Sequence, residues 1–211
     1  MATVVVLLHG LSRTRLSMRY LGRYLSQRGF AVLNLGYPSR AATIDDHVAK
    51  IERDIRRAGL HGHELSFVTH SLGGIVLRGL VESHHADYRF GRAVMLGPPN
   101  QGSAFARALQ ARLPWLHRVL GPSYLEVASI QRSPGTDRLT VGIIAGTRTP
   151  ERGYSPFVSG PNDGIVAVQE TALPGATDTL VVRGLHSFLM YQPSILEQVA
   201  HFLAHGRFQR D

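Results

Sequence analysis

The sequence predicts an α/β protein: a single domain on a mostly parallel sheet of about six strands flanked by helices, with a short helical lid insertion. Three observations carry that prediction. Short, continuously apolar runs rich in β-branched residues alternate with stretches of helical periodicity along most of the chain, and such alternation specifies parallel strands joined by right-handed crossovers. Glycines stand where helical stretches end and the chain returns to strand. The 211 residues, 44% hydrophobic and 18% charged, suit one compact domain over 1–211 with a substantial core rather than several small ones.

Val4, Val5, Val6, Leu7 and Leu8 form a run without polar interruption, as expected of a strand covered on both faces, and it stops at His9-Gly10. Residues 14–28 carry Leu16, Tyr20, Leu21, Tyr24 and Leu25 at helical spacing, with Gly29 as the stop. A second strand is expected over 30–35. Thr43 or Asp45 can cap the next helix, whose apolar face is Val48, Ile51, Ile55 and Ala58 and whose stop is Gly59. A strand over 65–69 runs directly into a helix over 72–81. Strands follow at 92–96, 139–145 and 180–182, and a last helix covers 193–204. Residues 101–138 break the alternation: Phe105, Leu109, Leu113, Trp115, Leu116, Val119 and Leu120 lie on helical spacing broken by Pro114 and Pro122, which predicts a helical insertion over the sheet's edge.

Composition narrows the function classes. With no cysteine, disulfide frameworks and thiolate metal sites are excluded. The net charge of +8 invites a nucleic-acid reading, but the basic residues are spread from Arg13 to Arg210 with no run longer than Arg56-Arg57. That scatter predicts no nucleic-acid partner. No apolar run reaches the ~18 residues that cross a bilayer, so no transmembrane segment is expected. The first apolar run lacks a basic leader and reads as the opening strand of a cytoplasmic protein.

Residues 69–74 read Thr-His-Ser-Leu-Gly-Gly between a predicted strand and a predicted helix. A serine on such a turn projects its hydroxyl above the sheet, where the helix N-terminus favours developing negative charge; the plainer alternative is that Ser71 only caps the helix. Four further features stand with it in order: His9-Gly10 after the first strand, Leu96-Gly97-Pro98-Pro99-Asn100-Gln101-Gly102-Ser103, Asn162-Asp163-Gly164-Ile165-Val166, and His186. Together they resemble the α/β-hydrolase superfamily, and within it the small bacterial lipase-like serine esterases, over nearly the whole chain. One position departs, since Thr69 stands where the family has the first glycine of its serine turn.

The resemblance implies a triad in the chain order nucleophile, acid, histidine. Ser71 is then the nucleophile and His186, after the last strand, the base; His70 is expected to point to another side of the turn, and His61, His63, His84 and His85 to lie in surface segments. Asp137 and Asp178 precede their strands and fall at the wrong end of the sheet, whereas Asp163 follows the 139–145 strand in a glycine-flanked turn. Asp163 is therefore the expected acid. The backbone N–H groups of Leu11 and Leu72 are the expected oxyanion donors, and Trp115 or Leu116 is expected to line or cover an acyl pocket. No metal or cofactor is expected, since there is no His-Glu-x-x-His pair, phosphate loop or dinucleotide fingerprint. The implied activity is cleavage of small-molecule carboxylic esters through an acyl-enzyme. A thioesterase or acyltransferase would use the same triad, and a non-catalytic relative would bind an apolar ligand or partner through 101–138.

Overall fold

A computed structural model describes residues 3–84, 86–130 and 132–210. Six strands form one sheet in the order β2-β1-β3-β4-β5-β6, every neighbouring pair parallel. They are β1 (Val4–Leu8), β2 (Ala31–Leu35), β3 (Glu64–His70), β4 (Arg89–Leu96), β5 (Thr140–Thr147) and β6 (Asp178–Arg183). The helices are α1 (Arg19–Ser26), α2 (Ile44–Arg57), α3 (Leu72–His84), α4 (Ala104–Arg112), α5 (His117–Leu120), α6 (Pro122–Ala128) and α7 (Pro193–His205).

The two-residue period of a strand divides the core. Val6, Leu8 and Phe67 pack with Ile51, Ile55 and Leu77 of α2 and α3 on one face. Val5, Leu7 and Val68 pack with Leu21, Leu196 and Phe202 of α1 and α7 on the other. Both faces of the central strands are thus covered, which is why β1 reads as an unbroken apolar run.

Two local expectations are corrected. The helix expected over 14–28 is a 3-10 turn, Arg15–Met18, followed by the eight residues of α1. Thr14 caps the turn by accepting from Leu16 N–H, and Leu16 and Tyr20, expected on the apolar face, are 66% and 50% exposed. Of the two candidate caps for α2, Thr43 does the work: its hydroxyl accepts from Asp46 N–H while the Asp46 carboxylate accepts from Thr43 N–H. Ala58 lies beyond the helix end and is exposed.

The connection from β4 to β5 holds α4, α5 and α6 with a 3-10 turn at Pro114–Leu116. Ala106, Tyr124 and Ala128 form a small core there, against which Leu11, Leu109 and Leu120 pack. The connection emerges from the end of β4 at Leu96, and β3 ends beside it, with His70 in register with Leu96. The insertion therefore lies at the same end of the sheet as Ser71.

Candidate active site

Ser71 occupies the single position between β3 and α3, at a φ of 51°. A non-glycine residue in the left-handed region costs ~1–2 kcal/mol, and two contacts hold it there. Ser71 N–H donates to Leu96 O at 2.9 Å, and Gly74 N–H donates to Ser71 O at 2.9 Å. Among the described residues only Ser12 shares this strain outside glycine, at φ 56°, in a turn where Arg13 N–H donates to Gly10 O at 3.3 Å. Both strained serines line one cavity, and such strain clusters at functional sites.

Thr69 fits the turn because its neighbour is small. A Cβ on Gly74 would lie 3.4 Å from Thr69 Oγ1 and 3.1 Å from Pro98 Cβ, so the fully buried threonine takes space that a larger residue at 74 would contest. The missing first glycine is thereby accommodated.

Asp163 and His186 meet as expected. His186 Nδ1 lies 2.6 Å from Asp163 Oδ2, with the two residues 6% and 1% exposed. Each oxygen of Asp163 has its own task, since Oδ1 accepts from Ile165 N–H at 3.0 Å and Val166 N–H at 2.8 Å, leaving Oδ2 for the imidazole. A second tie runs through the backbone, His186 N–H donating to Asp163 O at 2.9 Å. Gly97, at φ 54°, closes over this pair: a Cβ there would lie 3.0 Å from Asp163 Oδ2 and 3.1 Å from His186 Nδ1.

Two residues beyond the sequence expectation organise the site. Asn162, fully buried, accepts through Oδ1 from Ser155 and Gly164 N–H and donates through Nδ2 to the carbonyls of Ser155, Val158 and Gly160. It fixes the loop that presents Asp163. His70, expected on another side of the turn, instead packs against His186, with ring centroids 4.7 Å apart and Nε2 2.9 Å from His186 O. Burial holds its ring well below the ordinary histidine value, and the charges of His186, Arg13 and His9 act in the same direction. His9 is likewise buried and lowered by burial; its Nδ1 sits 2.9 Å from Gly10 O while its Nε2 accepts from Tyr37 N–H.

Among the other candidate bases, His61 is exposed and His63 and His84 are half-buried, while His85 lies outside the described residues. Asp137 precedes β5 as expected, while Asp178, expected just before its strand, is the first residue of β6; both lie at the far end of the sheet, where Asp178 pairs with Arg210.

A cavity of about 520 Å³ opens over Ser71, His186, Leu11 and Leu72. No hydrogen bond to a described residue uses the N–H of Leu11 or Leu72. Phe105, Leu109, Leu120, Val127, Ile165 and Val166 supply apolar wall. Trp115 is 56% exposed and Leu116 half-buried, and neither is among the residues that line this cavity. The arrangement brings a strained serine and a carboxylate-oriented imidazole to one cavity.

This is the α/β-hydrolase fold. Solved structures with it include mature Bacillus licheniformis lipase BlEst2, at TM-score 0.65 and 21% identity over 88% of this chain and 85% of that one. The lin2722 gene product of Listeria innocua matches at TM-score 0.65 and 19% identity, over 100% of this chain and 96% of its own. A thermophilic esterase from Thermogutta terrifontis matches at TM-score 0.65 and 14% identity, over 98% and 91%. No protein-family model matches the chain, and no curated protein matches it in sequence. Among the described residues no helix is long and apolar enough to cross a membrane.

Proposed function

We propose that the protein is a serine hydrolase that cleaves small-molecule carboxylic esters through an acyl-enzyme on Ser71. The observation that carries the reading is the buried 2.6 Å contact between His186 Nδ1 and Asp163 Oδ2, at the rim of the cavity that holds the strained serine. Lipases and esterases among the chains of the same fold support it.

In the first half-reaction Ser71 Oγ attacks the ester carbonyl carbon while His186 Nε2 takes the hydroxyl proton. Asp163 holds the ring with Nδ1 protonated and stabilises the imidazolium. The carbonyl oxygen becomes an oxyanion, for which the N–H groups of Leu11 and Leu72 are the donors at hand. Collapse breaks the bond to the alcohol oxygen, which leaves with the proton from His186. Water, deprotonated by the same imidazole, then attacks the acyl carbon and releases the carboxylic acid and Ser71. The acyl chain lies against the wall contributed by the insertion, Phe105, Leu109 and Leu120.

The test is labelling with a fluorophosphonate probe followed by peptide mass spectrometry, alongside turnover of p-nitrophenyl esters and acyl-CoA thioesters. Modification at Ser71 with ester turnover is expected. A chain that neither labels nor hydrolyses any ester overturns the reading, and a strong preference for the thioesters reassigns it to thioester cleavage.

A further inference from the structure

The wall of the cavity over Ser71 is chemically mixed. The insertion side is apolar, with Phe105, Leu109 and Leu120. The turn after β1 supplies another part of the wall, and there Arg13 is the charged side chain besides the histidines. Its Nη2 donates to Ser187 O at 3.2 Å. A guanidinium has five N–H donors, and no other side-chain hydrogen bond and no carboxylate partner of Arg13 occurs among the described residues. Its charge also contributes, after burial, to lowering His9 and His70. A cation with most of its donors unclaimed by the described residues, on the wall of the cavity that also holds Ser71, is suited to meet an anion.

Position then decides which half of the substrate carries that anion. The leaving oxygen takes its proton from His186, so the alcohol half lies on the His186 side of Ser71. Arg13 is bonded to Ser187, the next residue. We propose that Arg13 is a specificity-determining residue that binds a carboxylate or phosphate on the alcohol half of the ester, making the preferred substrates apolar acyl esters of anionic alcohols. This inference rests on the serine-esterase reading.

The experiment compares four esters with the full chain and with Arg13→Gln and Arg13→Lys. Three are butyrates of 4-hydroxybenzamide, 4-hydroxybenzoate and 4-hydroxyphenyl phosphate, which are neutral, carboxylate-bearing and phosphate-bearing in the leaving group. The fourth, 4-carbamoylphenyl hemisuccinate, moves the anion to the acyl half. The anionic-to-neutral ratio of kcat/KM, compared between wild type and variant, cancels the intrinsic reactivity of each leaving group. That ratio is expected to fall about tenfold in Arg13→Gln, to recover partly in Arg13→Lys, and to shrink in the wild type as salt rises. The larger drop, with carboxylate or with phosphate, names the anion. An Arg that merely tethers Ser187 would slow all four esters alike; an unchanged ratio with continued turnover of the neutral ester overturns this proposal alone. A drop confined to the hemisuccinate overturns the assignment to the alcohol half. Absence of all turnover and of Ser71 labelling overturns the esterase reading and this inference together.

Discussion

His70, the residue before the candidate nucleophile, bonds through Nε2 to the backbone carbonyl of His186, the candidate base, at 2.9 Å. A carbonyl only accepts, so His70 carries its proton on Nε2, and its buried Nδ1 has no hydrogen-bond partner among the described residues. The bond ties the end of β3 to the loop after β6 and so fixes the base relative to the serine. Under the proposed function His70 is therefore a positioning residue. His70→Phe is expected to lower kcat by about ten- to a hundredfold with little change in KM, while His70→Gln, which keeps a donor, recovers much of the loss. Equal kcat in wild type and His70→Phe, each with native circular dichroism, would show that the tie is dispensable.

The strain at Ser71 separates activity from stability. At φ 51° glycine carries no Cβ penalty, so Ser71→Gly removes the hydroxyl and relaxes the turn together. Turnover is expected to fall by about 10³ to 10⁶-fold while thermal stability rises by about 1 kcal/mol. For a chain of this size that is roughly 2–4 °C in Tm. Calorimetry beside an ester assay checks both; a variant that is inactive and less stable would place the strain elsewhere.

Asp163→Asn is predicted from the division of labour between its oxygens. Two backbone N–H groups claim Oδ1, so the amide of an asparagine must keep its oxygen there and aim its NH₂ at His186 Nδ1. The ring is then forced to protonate Nε2, the wrong tautomer for a base. The turn survives and kcat is expected to fall by about 10² to 10⁴-fold. Wild-type kcat in this variant would move the acid to another residue.

Acid should weaken the fold through its buried imidazoles. Burial holds His9 and His70 below their ordinary value, so the unfolded chain binds more protons than the native one once pH drops below about 6.5. Stability from keeping both rings neutral is complete above that pH and is lost as pH falls toward their folded-state values. Tm is expected to be flat near pH 7.5 and to decline from about pH 6.5 to pH 5, with a smaller decline in His70→Gln. An acid-insensitive Tm would contradict the assignment.

The sheet was legible because strands covered on both faces must be apolar throughout, as β1 and the last four residues of β4 are. The candidate triad was legible through the family resemblance, which implies the chain order nucleophile, acid, histidine that Ser71, Asp163 and His186 follow. Side-chain direction inside turns was not. Asn162 reads as ordinary turn chemistry until its five carbonyl and amide partners are assembled around it, and nothing in the letters of 69–74 aims His70 at His186. Arg13 is one arginine among many until the turn at Ser12 brings it to the cavity. In the insertion the phase was not legible: helical spacing set Leu109, Trp115, Leu116 and Leu120 among one group of apolar residues across the break at Pro114, but α4 ends at Arg112 and Pro114 opens a tighter 3-10 turn. That change of period turns Trp115 outward and leaves Leu109 and Leu120 on the cavity.

The acyl wall can be tested from this difference. Each buried CH₂ is worth ~0.8 kcal/mol, or about fourfold in kcat/KM, until the pocket is full. Across p-nitrophenyl esters of increasing length, kcat/KM is expected to climb and then level off. Leu109→Trp and Leu120→Trp fill space inside the cavity and should move that plateau to shorter chains, with acetate the least affected. Trp115→Ala removes an exposed ring and should leave the position of the plateau in place. A plateau that shifts with Trp115 and ignores Leu109 and Leu120 would mean that the substrate meets the outer face of the insertion, and that the apolar lining beside Ser71 serves only to dock α4 and α5.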